Sequence, residues 1–191
     1  MKFTISKSGL AKCLAHVESS VIHFETNRSA FSRGYNHNTT KGCLVGVKCE
    51  VALSELLGWS VVRAKIDDNY WAFRGKRGHG DIDVNVDGKM HVLEVKGLQE
   101  QHWERYQKCV TPKSIDGYVK RNSIVVWGTT TTDENDAVVN LRGWNWAWEI
   151  KNHGSYVRTI CDNIQLSKDF PIYSMVDLIN HIRGDTDSYD N

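Results

Sequence analysis

Three carboxylates and one lysine fall on two short segments that a turn joins. The first segment alternates polar and apolar residues and carries Asp81 and Asp83, and the second carries Glu94 and Lys96. The residues between them, 87–88, are Asp-Gly, which is a strong signal for a hairpin turn. Because alternate residues of a strand share a face, we expect the carboxylates and the lysine to lie on one face of a β-hairpin.

The predicted register places Asp81 directly opposite Glu94, with Asp83 diagonal to Glu94. Opposed Cβ atoms in such a hairpin lie about 5 Å apart, and diagonal ones about 7 Å. Carboxylates at this spacing repel one another unless a cation or a proton lies between them. Mg²⁺ accepts hard oxygen ligands and often takes only one or two carboxylates together with phosphate oxygens. The hairpin therefore favours metal-assisted phosphodiester hydrolysis, in which Lys96 orients or stabilises the attacking hydroxide.

An exposed sheet face with mixed charges is the plain alternative, because antiparallel sheets commonly leave one face in water. Three features favour a site. The return segment, residues 90–96, is apolar enough for a central strand, and both segments put their acids on one face. A preceding helix carries Glu50, which adds a fourth carboxylate if that helix packs beside the hairpin.

Three short runs of the hairpin have a known pattern: Gly80-Asp81-Ile82-Asp83-Val84, Asp87-Gly88 and Leu93-Glu94-Val95-Lys96-Gly97. They resemble the core of the PD-(D/E)xK nuclease superfamily, which includes restriction endonucleases, Holliday-junction resolvases and repair nucleases. The resemblance covers about residues 42–128. It implies an α/β fold with a restriction-endonuclease-like mixed central β-sheet flanked by helices, and a nuclease that activates water with a metal.

The resemblance also implies a role for individual residues. Asp83 and Glu94 would bind the metal together with the main-chain carbonyl of Val95. Lys96 would be the catalytic lysine, and Glu50 would be the glutamate of the helix that precedes the core.

Two acids compete for the first metal position. Superfamily members often show Gly-x-Ile-Asp followed by an apolar residue, which favours Asp83. We therefore favour Asp83, although the in-register pairing places Asp81 directly across from Glu94. Ile82 stands where many members have proline, although many others lack it.

A basic, glycine-rich connector leads into the acidic strand and is predicted to lie at the mouth of the site. There its side chains would contact phosphate, with a solvated turn as the alternative. The candidate nucleic-acid-binding residues are Arg74, Lys76, Arg77 and His79.

Two glutamines, Gln99 and Gln101, follow the lysine on a segment predicted to be a polar helix, residues 98–109. Some superfamily members use a glutamine after the lysine. Gln99 and Gln101 are therefore candidates to position the groups that would bind the metal, without binding it themselves. A solvated helix face is the alternative.

Three tryptophans, Trp144, Trp146 and Trp148, alternate as if to line one face of a strand. Stacking on bases would suit single-stranded nucleic acid. We favour burial in the core or a dimer contact, because tryptophan buries a large area and is enriched at interfaces.

The other periodicities predict the order helix, strands, hairpin, helix, strand, strand, helix, which is typical of an α/β domain. Helices are predicted at residues 8–24, 42–57, 98–109 and 173–182. Strands outside the hairpin are predicted at residues 59–66, 70–74, 123–127 and 137–141.

Length and composition narrow the class of protein. The 191 residues suit a single nuclease-like domain, 1–191, with its core at about 42–128 and an acidic tail that frays from about residue 184. A formal net charge of +1 requires any nucleic acid to be bound through a local basic patch. The five scattered cysteines and the lack of a secretory signal or bilayer-spanning run predict an intracellular protein without a membrane partner.

The sequence thus predicts a Mg²⁺-dependent nuclease, with Mn²⁺ as a substitute, that acts on DNA as an endonuclease rather than an exonuclease. A homodimer would allow it to cut two strands. The rival prediction is a module of the same fold that binds nucleic acid without cutting it, and metal binding separates the two. A metal-dependent hydrolase of small phosphate esters is the third alternative.

Overall fold

The computed structural model describes residues 1–26, 40–64, 80–158 and 162–184. The α-helices in these ranges are α1 (Lys7–Thr26), α2 (Thr40–Leu57), α3 (Trp103–Tyr106), α4 (Pro112–Lys120), α5 (Ala147–His153) and α6 (Met175–Arg183). The strands are β1 (Lys2–Thr4), β2 (Val62–Ala64), β3 (Ile82–Val86), β4 (Lys89–Gln99), β5 (Cys109–Val110), β6 (Ile124–Thr130), β7 (Val138–Trp146), β8 (Ser155–Arg158) and β9 (Asp162–Gln165). None of these helices is long and apolar enough to cross a membrane.

A six-stranded mixed sheet forms the centre of the fold, in the order β1-β7-β6-β4-β3-β2. β4 and β6 run parallel, and the other neighbouring strands run antiparallel. A second, three-stranded sheet has the order β5-β9-β8. The predicted α/β class with a mixed central sheet and flanking helices is therefore confirmed.

The hairpin of β3 and β4 has the predicted register. Val86 pairs with Lys89 beside the turn, and the ladder runs back to Ile82 opposite Leu93. The two turn residues, 87–88, have φ angles of 50° and 81°. Two positive φ angles are typical of the type I′ turn, which matches the twist of a two-residue hairpin.

Different elements cover the two faces of the central sheet. Helices α2 and α6 cover one face, where their apolar residues share a core with Leu93. On the other face, α4, α5 and residues of the second sheet pack around Val125 and Trp127. Glu94 and Lys96 belong to this second face, because they pair with Val125 and Trp127 across the parallel ladder.

Helix α2 confirms the helix predicted at residues 42–57 and packs closely on the sheet. Two glycines of the sheet face it. A Cβ atom at Gly97 would lie 2.9 Å from the carbonyl oxygen of Val45, and one at Gly128 would lie 2.7 Å from Sγ of Cys49. Both distances are too short for a real Cβ atom, so the approach of α2 depends on these glycines.

Replacing Gly97 by alanine is expected to lower the free energy of unfolding by about 1–3 kcal/mol, because the backbone of α2 must move away from the added methyl group. Gly46→Ala on α2 is the control. A Cβ atom there meets nothing within 4 Å, and alanine favours a helix by up to about 1 kcal/mol over glycine. Urea unfolding measures both variants, and an unchanged stability of Gly97→Ala would contradict this packing.

The helix predicted at residues 98–109 is wrong. β4 continues to Gln99, because Leu98 and Gln99 pair with Thr129 and Thr130 of β6. Only a 3₁₀ turn and the short helix α3 follow. A parallel partner strand has therefore outweighed the polar, helix-like local sequence.

The other elements agree with prediction to different degrees. α1 and α6 match residues 8–24 and 173–182, and β6 and β7 are longer than the strands predicted at 123–127 and 137–141. Residues 59–66 supply only the short strand β2. β1, α4 and the second sheet were not predicted. The strand at 70–74 and the tail beyond 184 lie outside the described residues.

The three tryptophans have different environments. Trp144 is 5% exposed, and Trp146 is partly buried against the same core. Trp148 is 43% exposed and lies on α5, because β7 ends before it. Burial is therefore confirmed for the first two tryptophans, whereas the third does not share their strand.

Candidate active site

The first carboxylate of the site is fixed where the chain enters β3. The N–H of Asp81 donates to the carbonyl of Leu93 at 2.9 Å, and Oδ2 of Asp81 accepts from the N–H of Val95 at 3.0 Å. β3 begins only at Ile82, whereas β4 continues beyond it. The carboxylate thus substitutes for a strand carbonyl along the edge of β4.

The ammonium group of Lys96 lies among three oxygen atoms. Its Nζ is 3.6 Å from Oδ2 of Asp81 and 3.9 Å from Oε2 of Glu94. It also donates to the carbonyl oxygen of Val95 at 3.2 Å. The Lys96 side chain is 28% exposed, against 4% for Glu94, so solvent reaches this group from the lysine side.

Arg121, which follows α4, completes the group and was not predicted. Its Nη2 donates to Oε1 of Glu94 at 2.7 Å. The ring of Tyr118 on α4 lies 5.1 Å from Nζ of Lys96 and 5.5 Å from the Arg121 guanidinium. The Thr111-Pro112 pair, with proline at the first helical position, is the sequence signal that could have located α4.

The charges around Lys96 decide its protonation. Burial favours the neutral amine, but Asp81, Tyr118 and Glu94 favour the ammonium more strongly, so the pKa of Lys96 lies above its usual value. Lys96 therefore carries its proton throughout the neutral range. In this state it stabilises negative charge and cannot accept a proton from water.

Asp83 shares the hairpin but has different contacts. It is 6% exposed, and its Oδ1 accepts from the N–H of Gly80 at 3.0 Å. In the register of the antiparallel strands, Asp83 lies opposite Arg63 of β2. Asp81 rather than Asp83 is thus the acid that meets Glu94 at Lys96.

Glu50 lies on a helix that covers the opposite face of the sheet. α2 packs against the face of Gly97 and Leu93, whereas Glu94 points to the other face. Glu50 itself is partly buried, and its charge acts on Cys49 and Cys13. The structure does not place α2 beside the acidic face of the hairpin.

Gln99 and Gln101 contact each other rather than the group around Lys96. Side chains alternate along β4, and Gln99 is five residues from Glu94, so Gln99 lies on the sheet face that α2 covers. The Oε1 atom of Gln99 accepts a hydrogen bond from Gln101 at 3.2 Å. The predicted nucleic-acid-binding residues lie outside the described residues: Arg74, Lys76, Arg77 and His79.

The oxygen atoms around Lys96 have the chemistry that Mg²⁺ prefers, because two carboxylates and a carbonyl are hard ligands. Asp81, Glu94 and the carbonyl of Val95 would hold the ion. Within the described ranges, no three or more His, Cys, Asp or Glu side chains form a metal-binding cluster. Water or substrate oxygens would therefore have to supply the rest of the coordination shell.

The chain has also been compared with known proteins. No family model, curated protein or solved structure matches it.

Proposed function

We propose that the protein is a Mg²⁺-dependent nuclease that hydrolyses phosphodiester bonds, with DNA as its substrate. The single observation that carries the proposal is the convergence of Asp81, Glu94 and the Val95 carbonyl on the ammonium of Lys96. We further propose that the fold is restriction-endonuclease-like, because these groups lie on a hairpin at the centre of a mixed sheet.

Each group then has a defined role. Asp81, Glu94 and the Val95 carbonyl would hold the ion, and Mn²⁺ would substitute for Mg²⁺. A bound ion lowers the pKa of a coordinated water and neutralises charge on the phosphate. Lys96 is an ammonium in the free protein, and its positive charge would stabilise the charge that develops on the attacked phosphate. The basic residues of segment 74–79 are proposed to contact the nucleic-acid backbone.

A cleavage assay on linear, branched and single-stranded DNA and on RNA, with Mg²⁺, Mn²⁺ or EDTA, tests this function. The wild type should cut at least one DNA substrate with either ion, and Glu94→Gln should not. Asp116→Asn is a matched acidic control, because Asp116 is exposed and pairs only with Lys151 among the described contacts. Cleavage that persists in Glu94→Gln would refute the proposal.

The two aspartates of the hairpin should differ in effect. Asp81→Asn is expected to lower the cleavage rate by about 100-fold or more, because it removes a charge beside the ion. Asp83→Asn is expected to lower it by less than about tenfold, because the asparagine carbonyl can still accept from Gly80. Single-turnover rates measure both variants. The opposite order would identify Asp83 as the ligand.

A binding module without catalysis is the second candidate, and one observation favours it. Glu94 is already paired with Arg121 at 2.7 Å and lies near Lys96, as expected of a purely structural ion-pair network. Calorimetric titration with Mn²⁺ separates the two functions. A Mn²⁺ site that Asp81→Asn and Glu94→Gln abolish supports the nuclease, and the absence of such a site supports the module.

A further inference from the structure

The two oxygen atoms of Glu94 face two different cations. Oε1 accepts from Nη2 of Arg121 at 2.7 Å, and Oε2 lies 3.9 Å from Nζ of Lys96. A guanidinium can bind a carboxylate through two parallel N–H groups, but here one of them is unused. Nε of Arg121 is buried and has no hydrogen-bond partner among the described residues. Arg121 therefore binds Glu94 through Nη2, while its Nε has no hydrogen-bond partner among the described residues.

We propose that Lys96, Arg121 and Tyr118 form a binding site for a substrate phosphate, and that metal binding makes this site available. This inference rests on the proposed function. Before the ion binds, Asp81 and Glu94 neutralise the two cations, so the cations offer little attraction to an anion. After the ion takes these carboxylates, the two cations lose their counter-charges.

The charge balance then couples metal to phosphate. Without an anion, the ion, Lys96 and Arg121 would repel one another across a few ångströms, because all three would share two carboxylates. A phosphate relieves that repulsion and gives the unpaired Nε of Arg121 an acceptor. Each ligand should therefore strengthen the binding of the other by the same factor.

The position of α4 explains why the two cations act together. Tyr118 and Arg121 are three residues apart, the spacing of neighbours on a helix surface, and the Tyr118 ring contacts both cations. The Tyr118 ring thus lies beside both Lys96 and Arg121. The same helix end thus holds Glu94 in the free protein and presents a donor to phosphate in the bound one.

DNA affinity with and without a divalent ion tests the coupling. Fluorescence anisotropy of a short labelled DNA duplex is measured for the full chain in EDTA and in Ca²⁺, at constant ionic strength. For the wild type, Ca²⁺ is expected to raise the affinity about tenfold. Arg121→Gln should lose most of this increase while it binds Ca²⁺ alone more tightly, because Glu94 no longer has a competing partner. Arg121→Lys, which keeps the charge, should retain part of the increase.

Lys120→Gln is the matched control, because Lys120 is the exposed neighbour at the end of the same helix. It should show the same Ca²⁺-dependent increase in DNA affinity as the wild type. If the wild type and Arg121→Gln show an equal increase in DNA affinity, and circular dichroism shows that both are folded, the inference is overturned. A wild type that cuts DNA but shows no increase would also overturn it, and in that case the nuclease function stands. Coupling without cleavage would support the inference and refute the nuclease.

Discussion

Lys96→Met is expected to lower the cleavage rate by about 10²–10³-fold, the usual cost of removing one group that stabilises transition-state charge. The pKa of Lys96 is raised in the free protein, so the lost group is an ammonium rather than a proton acceptor. Lys96→Arg keeps a positive charge and should retain part of the rate. The affinity for Mn²⁺ should rise in Lys96→Met, because the cation nearest Asp81 is gone.

Single-turnover cleavage and Mn²⁺ calorimetry on the same preparations measure this effect. A misfolded variant would lose both DNA cleavage and Mn²⁺ binding, whereas a folded Lys96→Met should lose cleavage and bind Mn²⁺ more tightly. Lys113→Met serves as the control, because Lys113 is an exposed lysine on α4. A full rate in Lys96→Met would exclude Lys96 from the mechanism.

Acid should destabilise the protein through His91, which is 6% exposed and whose Nε2 has no hydrogen-bond partner among the described residues. Burial, helped by the charges of His181 and Lys89, lowers the pKa of His91 to about 4. The unfolded chain binds this proton near pH 6.5, and the folded protein does not until about pH 4. Stability should therefore fall as pH drops through that window, by about 3 kcal/mol from this group.

His91→Phe removes the titration and keeps a ring against His181, whose centroid lies 5.3 Å away. This variant should be as stable as wild type at neutral pH and more stable than wild type below about pH 5. Urea unfolding across this pH range gives the difference in the free energy of unfolding between the two proteins. Other titrating groups are common to both proteins, so their effects cancel in this difference. Exposed His102 provides the control variant, His102→Gln. If the free energy of unfolding depends on pH in the same way in the wild type and in His91→Phe, the lowered pKa of His91 is contradicted.

Local signals were sufficient to predict the hairpin and its register. An Asp-Gly turn and strict alternation are short-range features, and they correctly placed Val86 opposite Lys89. Helix α2 was likewise predictable from its apolar period. Such features depend on neighbours a few residues apart, which is the information that a single sequence carries best.

Non-local features could not be predicted in the same way. The predicted register already placed Asp81 opposite Glu94, whereas the superfamily pattern favoured Asp83. The contacts of Asp81 with Val95 and Lys96, which distinguish the two acids, become visible only in the folded protein. The contact of Arg121 with Glu94 joins residues 27 positions apart through a helix that was not predicted. The continuation of β4 to Gln99 likewise needed its partner β6.

The tight turn at residues 87–88 constrains how the hairpin can change in evolution. Side chains alternate along a strand, so a one-residue insertion that entered the ladder would reverse the orientation of every residue on β3. Asp81 would then turn away from Glu94, although neither residue had been altered. A two-residue shift of the ladder would keep Asp81 on the same face but move it about 7 Å along β4 from Glu94. A longer loop is thus compatible with the chemistry only where the ladder keeps its register, for example where a bulge confines the extra residue to the loop. A change in the turn at residues 87–88 that shifts the ladder would therefore abolish the site even if every site residue were retained.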